Sequence, residues 1–191
     1  MKNVVVTGMG IVSCIGNNLQ EVLDSLKIGR SGISKNVEYE EMGFRSHISG
    51  SVNLNFSELI DRKTLRFMSE ASGFGYIAAQ EAISNALINI NEIDSSRIGI
   101  VAGSGGASSA AQIEASDIVR KRGPKKIGPY AVTKTMGSTV SAILGTSLKL
   151  QGVNYSISSA CSTSAHCIGH AAELIQLGKQ DIIIAGGAEQ E

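Results

Sequence analysis

Four short runs, spaced along the chain and separated by helix-like stretches, limit the possible fold more than any other feature of this sequence. They lie at residues 3–7, 97–102, 154–158 and 181–185, and three of them are rich in valine or isoleucine. Apolar runs of this length without polar alternation are typical of strands buried on both faces. Strands that alternate with helices predict an α/β fold, in which a largely parallel sheet is covered by helices.

Apolar residues at helical spacing occupy much of the sequence between these runs. Helices are predicted at residues 17–29, 69–86, 107–120, 133–148 and 161–177. Residues 31–56 and 121–128 are predicted to be loops. Because the last strand falls close to the end of the chain, the sheet is left with an uncovered edge. We therefore expect one domain over residues 1–191 that is truncated at its C-terminal end.

Charge and cysteine content exclude several classes of protein. Lysine and arginine together number 17, as do aspartate and glutamate, so a general nucleic-acid-binding surface is not expected. Three cysteines without a CxxC pair disfavour both a disulfide framework and a zinc site. No apolar run is long enough to cross a membrane, and no signal-peptide pattern is present. These features predict a cytoplasmic protein.

One cysteine lies between a predicted strand and a predicted helix, within the segment SSACST at residues 158–163. Such a turn exposes its side chains at the carboxyl edge of a parallel sheet, where ligands bind. Free N–H groups and the partial positive charge at a helix start stabilise a thiolate or an oxyanion. Cys161 is therefore the candidate nucleophile, with its own N–H as a candidate oxyanion donor. A small buried cysteine is the competing interpretation.

The residues that follow Cys161 do not supply it with a base. His166 is five positions along the predicted helix, so its side chain points away from Cys161. His170 lies about 13 Å further along the helix axis. We interpret both as histidines that make packing or polar contacts, and His47 as a loop residue. Cys167 is too far from Cys161 to form a disulfide.

Glycine-rich turns give only weak evidence for a nucleotide site. Residues 7–10, TGMG, lack the third glycine of the dinucleotide fingerprint, and no Walker A pattern occurs. Residues 103–106, GSGG, are predicted to form a tight loop that lines a pocket. Two basic groups, at residues 62–66 and 120–126, could form a solvated face or could receive an acidic or phosphorylated partner.

Six segments of the sequence resemble segments of bacterial β-ketoacyl-acyl carrier protein synthases. They are VVVTGMGIVSCIGNN, GRSGI, IDRKTLRFMSEAS, GPYAVTKTM, NYSISSACSTSAHCIG and IQLGKQDIIIAGGAE. The resemblance runs through essentially all 191 residues and is close to the elongating synthase I group. It implies a thiolase-like fold of two similar α/β halves, of which this chain is the N-terminal one, and a homodimer.

The resemblance also implies an acyltransferase of fatty-acid chain elongation. Cys161 is expected to accept an acyl group from acyl carrier protein, after which malonyl-carrier protein loses carbon dioxide and attacks the thioester. Met136 is expected to line the acyl pocket near the dimer interface. The residues expected to bind acyl carrier protein are Arg62, Lys63, Arg66, Arg122, Lys125 and Lys126. No cofactor, metal or nucleotide is implied.

Two departures and two alternatives accompany this resemblance. The second half of such enzymes carries two catalytic histidines, a lysine and the other oxyanion donor, so the isolated chain is expected to lack full condensing activity. Ser162 stands where alanine is usual, a small change that we expect to be tolerated.

One alternative is a priming synthase or a coenzyme A-dependent thiolase-type acyltransferase. The other is a non-catalytic pairing subunit, against which the presence of Cys161 weighs.

Overall fold

The chain folds into helices and short strands, which a computed structural model describes over residues 2–106 and 108–190. The strands are β1 Ser34–Lys35, β2 Ile48–Ser49, β3 Ile98–Gly103, β4 Asn154–Tyr155 and β5 Ile182–Gly187. The α-helices are α1 Leu19–Ile28, α2 Val37–Glu41, α3 Phe56–Leu59, α4 Arg62–Leu65, α5 Glu70–Asn85, α6 Ser109–Arg122, α7 Ala131–Thr135, α8 Thr139–Leu148 and α9 Thr163–Gln176. Short 3₁₀ helices lie at Ile90–Glu92, Ser95–Arg97 and Pro124–Lys126.

A parallel sheet of order β4-β3-β5 forms the centre of the described chain. β3 pairs with β5 along its whole length, from Ile98 opposite Ile182 to Gly103 opposite Gly187. β4 pairs with the other edge of β3 in the same direction. The predicted parallel sheet is thus confirmed, and the carboxyl ends of its strands meet at one edge. A separate antiparallel pair joins β1 to β2.

Helices cover both faces of this sheet, and β3 in its middle is buried along all six residues. On one face Ile100 packs in a cluster with Leu144 of α8. On the other face Val101 packs with Cys167 and Leu174 of α9. Burial on both faces explains why this strand has an uninterrupted apolar sequence.

The predicted N-terminal strand is not formed within the described residues. Residues 3–7 belong to no ladder, and Val5 is 75% exposed. The segment lies along α5 instead, where the Glu81 carboxylate accepts a hydrogen bond of 3.0 Å from the Ile11 N–H. A β-branched run forms a strand only where a neighbouring strand completes its backbone hydrogen bonds, and no described segment does so here.

Helix ends follow local capping signals. α1 begins after Asn18, whose side chain accepts a hydrogen bond from the Glu21 N–H, and ends at Gly29 in the left-handed conformation. α5 begins after Ser69, whose hydroxyl accepts a hydrogen bond from the Ser72 N–H.

Several predicted elements have different bounds in the structure. The helix predicted at residues 133–148 is divided into α7 and α8, because Met136 between them has an extended backbone with φ −78° and ψ 136°. The strand predicted at residues 154–158 pairs only over β4, and the helix predicted from Cys161 begins at Thr163. The helix predicted from Ala107 begins at Ser109, and Ala107 itself lies outside the described residues.

Candidate active site

Cys161 lies on the turn between β4 and α9, at the carboxyl edge of the sheet. Its side chain is exposed, and α9 starts two residues later. The ends of the neighbouring strands contact the same turn. A Cβ atom built on Gly187, the last residue of β5, would lie 2.7 Å from Oγ of Ser164, and one built on Gly103 would collide with the Ile157 carbonyl. The predicted location of Cys161 is therefore confirmed.

The residue before Cys161 has a strained backbone. Ala160 adopts a φ of 49°, in the left-handed region that disfavours residues with a Cβ atom. This conformation costs about 1–2 kcal/mol, so the surrounding structure must hold it. The Ser162 N–H donates to the Ser159 carbonyl at 3.1 Å, and the Thr163 N–H donates to the Ala160 carbonyl at 3.0 Å.

Two side chains of α9 bind back to Ser159 and close the turn. The Ser159 N–H donates to the buried Thr163 hydroxyl at 2.9 Å. The Ser159 hydroxyl shares a hydrogen bond of 2.6 Å with Nδ1 of His166. Ser159 is thus bound through its N–H, its carbonyl and its hydroxyl, and all three partners belong to the start of α9.

The N-terminus of α9 faces this turn. Ser162 is the cap residue, but its side chain makes no capping hydrogen bond, so it does not occupy the first N–H groups of the helix. A helix of 14 residues places a partial positive charge at this end. An anion that develops at Cys161 would therefore be stabilised by the helix.

An acidic residue that sequence reasoning missed supports the neighbouring loop. Oε1 of Glu189, just beyond β5, accepts a hydrogen bond of 2.6 Å from the Gly105 N–H. Gly105 in turn lies against the turn, since a Cβ atom built on it would be 2.8 Å from the Ala160 carbonyl oxygen. The carboxylate occupies an N–H group that a phosphate cradle would need. The signal for Glu189 in the sequence is an acidic residue shortly after a predicted strand, where the chain leaves the carboxyl edge of the sheet.

The three cysteines occupy different environments. Cys167 is 0% exposed in the cluster with Val101 and Leu174, and burial raises the pKa of its thiol. Cys14 is half-buried in a polar hollow that Asn17 and Ser51 also line. Cys161 is the exposed thiol among the described residues.

The histidines make polar contacts, as predicted. His166 binds Ser159, as described above, and Nε2 of His170 lies 2.6 Å from the Tyr155 hydroxyl. Nδ1 of His170 lies 3.2 Å from the Glu173 carboxylate, and His47 binds the carbonyl of Phe44 within its own loop.

The six predicted carrier-binding residues are exposed and lie in two segments of the chain. One segment is α4 with Arg66, and the other is the end of α6 with the following 3₁₀ helix. Phe67, the residue after Arg66, makes an edge-to-face contact with Tyr130, four residues after Lys126, and the ring centres are 4.9 Å apart. Within residues 2–106 and 108–190 none of the six forms a salt bridge, whereas nearby Lys121 is paired with Asp117. The two segments together carry a cationic surface of six exposed side chains: Arg62, Lys63, Arg66, Arg122, Lys125 and Lys126.

Met136 lines an apolar cavity of about 460 Å³ between α4, α7 and α8. Phe67 and Ile143 form other parts of its wall, and Lys63 of the cationic surface lies at the same cavity. Cys161 does not line it. The structure therefore places Met136 in an apolar cavity but does not bring it into one cavity with the candidate nucleophile.

Neither a membrane span nor a metal centre is found in the part of the chain that the structure describes. None of its helices is both long enough and apolar enough to cross a membrane. Its histidine, cysteine, aspartate and glutamate side chains form no group of three or more that could hold a metal ion.

Comparison with solved structures defines the class of fold. The chain aligns over its whole length with a β-ketoacyl synthase from Burkholderia phymatum, at a TM-score of 0.86 and 27% identity, and covers 48% of that chain. It also aligns, at a TM-score of 0.78 and 20% identity, with a ketosynthase solved in complex with its type II PKS acyl-carrier protein, and covers 51% of that chain. The second likeness concerns the fold alone. The fold is thiolase-like.

The sequence comparison identifies the family within that class. Residues 1–191 match the family described as "Beta-ketoacyl synthase, N-terminal domain". The chain is 56% identical over 191 residues to 3-oxoacyl-[acyl-carrier-protein] synthase 1 of Haemophilus influenzae. It belongs to the β-ketoacyl synthase family, and it spans 47% of the length of that relative.

Proposed function

We propose that this chain carries the acyl-accepting part of an elongating β-ketoacyl-acyl carrier protein synthase, a cytoplasmic and homodimeric enzyme of fatty-acid synthesis. The observation that carries the proposal is the exposed Cys161 on a hydrogen-bonded turn at the carboxyl edge, in front of the N-terminus of α9. Membership of the family supports it, as does the name of the relative from Haemophilus influenzae.

In the proposed first step the Cys161 sulfur attacks the carbonyl carbon of an acyl thioester. A new C–S bond forms as the thioester C–S bond to the carrier breaks, and the carrier thiol leaves after protonation. The N–H of Cys161 and the positive end of α9 stabilise the oxyanion of the tetrahedral intermediate. The decarboxylation of malonyl-carrier protein is assigned to the histidines and lysine that the resemblance implies for the second half of the enzyme.

The acyl donor is acyl carrier protein, and its proposed docking site is the cationic surface. Six exposed basic side chains on these two segments suit an acidic partner. Coenzyme A, which is also an anion, is the donor in the thiolase-type alternative, and the acyl-transfer test below distinguishes the two donors. The apolar cavity at Met136 is proposed to bind the acyl chain near the dimer interface, because its wall is largely apolar and its volume suits a hydrocarbon chain.

Transfer of an acyl group from acyl carrier protein to the protein tests the nucleophile. We expect a mass increase equal to the acyl group on the peptide that contains Cys161. Cys161→Ala should abolish this adduct, whereas Cys167→Ala, which removes a buried thiol, should retain it. An adduct that survives Cys161→Ala on another residue would refute the assignment, and acylation from coenzyme A as fast as from carrier protein would favour the thiolase-type alternative.

Reversal of charge tests the docking surface. Lys63→Glu with Arg66→Glu should raise KM for acyl carrier protein about tenfold or more at low salt, and the effect should shrink as salt increases. Lys149→Glu with Lys179→Glu, which reverses two exposed lysines on the loops before β4 and β5, is the matched control and should leave KM unchanged. An equal effect of both changes would show that net charge matters and that this surface does not.

A further inference from the structure

We propose that His166 is a positioning residue, which holds the Cys161 turn in its strained conformation through the hydroxyl of Ser159. This inference rests on the proposed role of Cys161 as the nucleophile. It assigns to His166 neither proton transfer nor contact with the substrate.

The need for such a residue follows from the backbone of the turn. Ala160 holds a left-handed φ of 49° without being glycine, and it directly precedes Cys161. A turn in a disfavoured conformation persists only when its neighbours determine it. If they release it, Ala160 relaxes towards an ordinary conformation and the Cys161 sulfur moves relative to the start of α9.

His166 is placed to hold the turn from the helix side. It lies one helical turn inside α9, and its own N–H donates to the Ser162 carbonyl at 3.0 Å. Its Nδ1 reaches back to the Ser159 hydroxyl at 2.6 Å, the shorter of the two side-chain hydrogen bonds that Ser159 receives from α9. The helix thereby fixes the residue two positions before Cys161. A histidine bound through Nδ1 in this way points its ring at the turn, which suits it to support the turn.

The test measures the reactivity of Cys161 in the full chain with iodoacetamide, followed peptide by peptide with mass spectrometry. His166→Ala and Ser159→Ala should each slow alkylation of Cys161 about three- to tenfold, as expected for loss of one hydrogen bond. The double variant should be no slower than either single variant, because both changes remove the same interaction. His166→Asn, whose amide group occupies the position of Nδ1, should restore the rate, whereas His166→Gln should not.

Two controls accompany these variants. His170→Ala removes the other histidine of α9, which contacts Tyr155 and Glu173 instead of the turn, and should leave the rate unchanged. Cys167, which is fully buried, reports unfolding, because it becomes labelled only when α9 leaves the sheet. If Cys167 becomes labelled in His166→Ala, that variant has unfolded. The alkylation rates of Cys161 are then compared in Ser159→Ala, His166→Asn and His166→Gln.

Three results would overturn the inference: rates within twofold of the unmutated protein in both single variants, effects that multiply in the double variant, or rescue by Gln equal to that by Asn. Acyl transfer from carrier protein is measured in parallel. Its absence in the unmutated protein, combined with the expected alkylation pattern, would refute the proposed function and leave the positioning role standing. If acyl transfer occurs but substitution of His166 does not change the rate of alkylation, the positioning role is refuted and the proposed function stands.

Discussion

At the carboxyl edge, the exposed Cys161 lies beside side chains that restrain its turn. Cys161 faces solvent, whereas Thr163 is buried and His166 reaches back to Ser159. A reactive thiol needs access to its substrate, and a strained turn needs neighbours that fix it. Both requirements are met here by side chains within a few positions of one another.

Ile100 is the residue at which the cost of a core substitution is expected to be largest. It is 0% exposed in the middle of β3, between α8 and the strands on either side. Ile100→Ala should destabilise the chain by about 2–5 kcal/mol, because it removes buried methyl groups and leaves a cavity. Urea denaturation followed by circular dichroism measures the change.

The matched control for Ile100 is Ile113→Ala in α6. Ile113 is largely exposed, so the same truncation should change the free energy of unfolding by no more than about 0.5 kcal/mol. Equal losses at both positions would contradict the assignment of β3 to the core.

At the scale of elements, the N-terminal segment depends on close packing against α5. Gly8 and Gly10 touch the backbone of that helix, since a Cβ atom built on Gly10 would collide with the Ala78 carbonyl and lie 2.8 Å from the Ala82 nitrogen. Backbone atoms cannot move aside as the end of a side chain can. The two glycines therefore serve helix packing, and the phosphate role considered for the sequence TGMG gains no support from this contact.

Gly10→Ala should lift the N-terminal segment from α5. We expect a loss of stability of about 1–3 kcal/mol, as for overpacking at other tight contacts. In the unmutated chain the Ile11 N–H donates to Glu81, so hydrogen exchange at this N–H should be faster in the variant.

Gly169→Ala provides the control, because the space around this helical glycine of α9 is open. Alanine has a helix propensity about 1 kcal/mol better than glycine, so this variant should be as stable as the unmutated chain or more stable. Destabilisation of similar size by both changes would show that the contact with α5 is not responsible.

At the scale of the whole molecule, an ion network joins segments that are far apart in the sequence. The Arg97 guanidinium donates two hydrogen bonds of 2.9 Å to the Asp181 carboxylate, and Lys2 donates one of the same length. Arg97 precedes β3 and Asp181 precedes β5, so the network fixes the amino ends of the two strands and the N-terminal segment together. These hydrogen bonds, from Arg97 first and Lys2 second, hold the pKa of Asp181 far below its ordinary value.

This network predicts the pH dependence of stability. A carboxylate whose pKa is lowered by folding contributes its full stabilisation at pH values above its ordinary pKa of 3.8. This contribution is lost as the pH falls from 3.8 towards the pKa of the carboxyl group in the folded chain. Asp181→Asn should therefore lower Tm at neutral pH, and its difference from the unmutated chain should narrow below about pH 4. Thermal denaturation across this pH range measures both effects.

Asp24→Asn is the corresponding control on an exposed face of α1. Its carboxylate lies 3.7 Å from Lys27 of the same helix, an exposed pair of the kind that contributes little. It should leave Tm nearly unchanged at every pH. A Tm difference for Asp181→Asn that does not depend on pH would refute the role given to its charge.

The sequence by itself determined the features that short segments encode. Apolar runs long enough for a strand located β3 and β5, apolar residues at helical spacing located α1, and the passage from strand to helix located Cys161. These predictions succeed because helix capping, side-chain periodicity and the order of strand and helix involve residues within one or two turns of each other.

Only the tertiary structure decided the features that join distant segments. The hydrogen bond from Gly105 to Glu189 spans 84 positions, and the contact of Ile11 with Glu81 spans 70. The apolar run at residues 3–7 failed as a predicted strand for the same reason, since a strand requires a partner that its own residues do not specify. Contacts of this kind form only when elements from separate parts of the chain pack together, so their geometry is a property of the assembled fold.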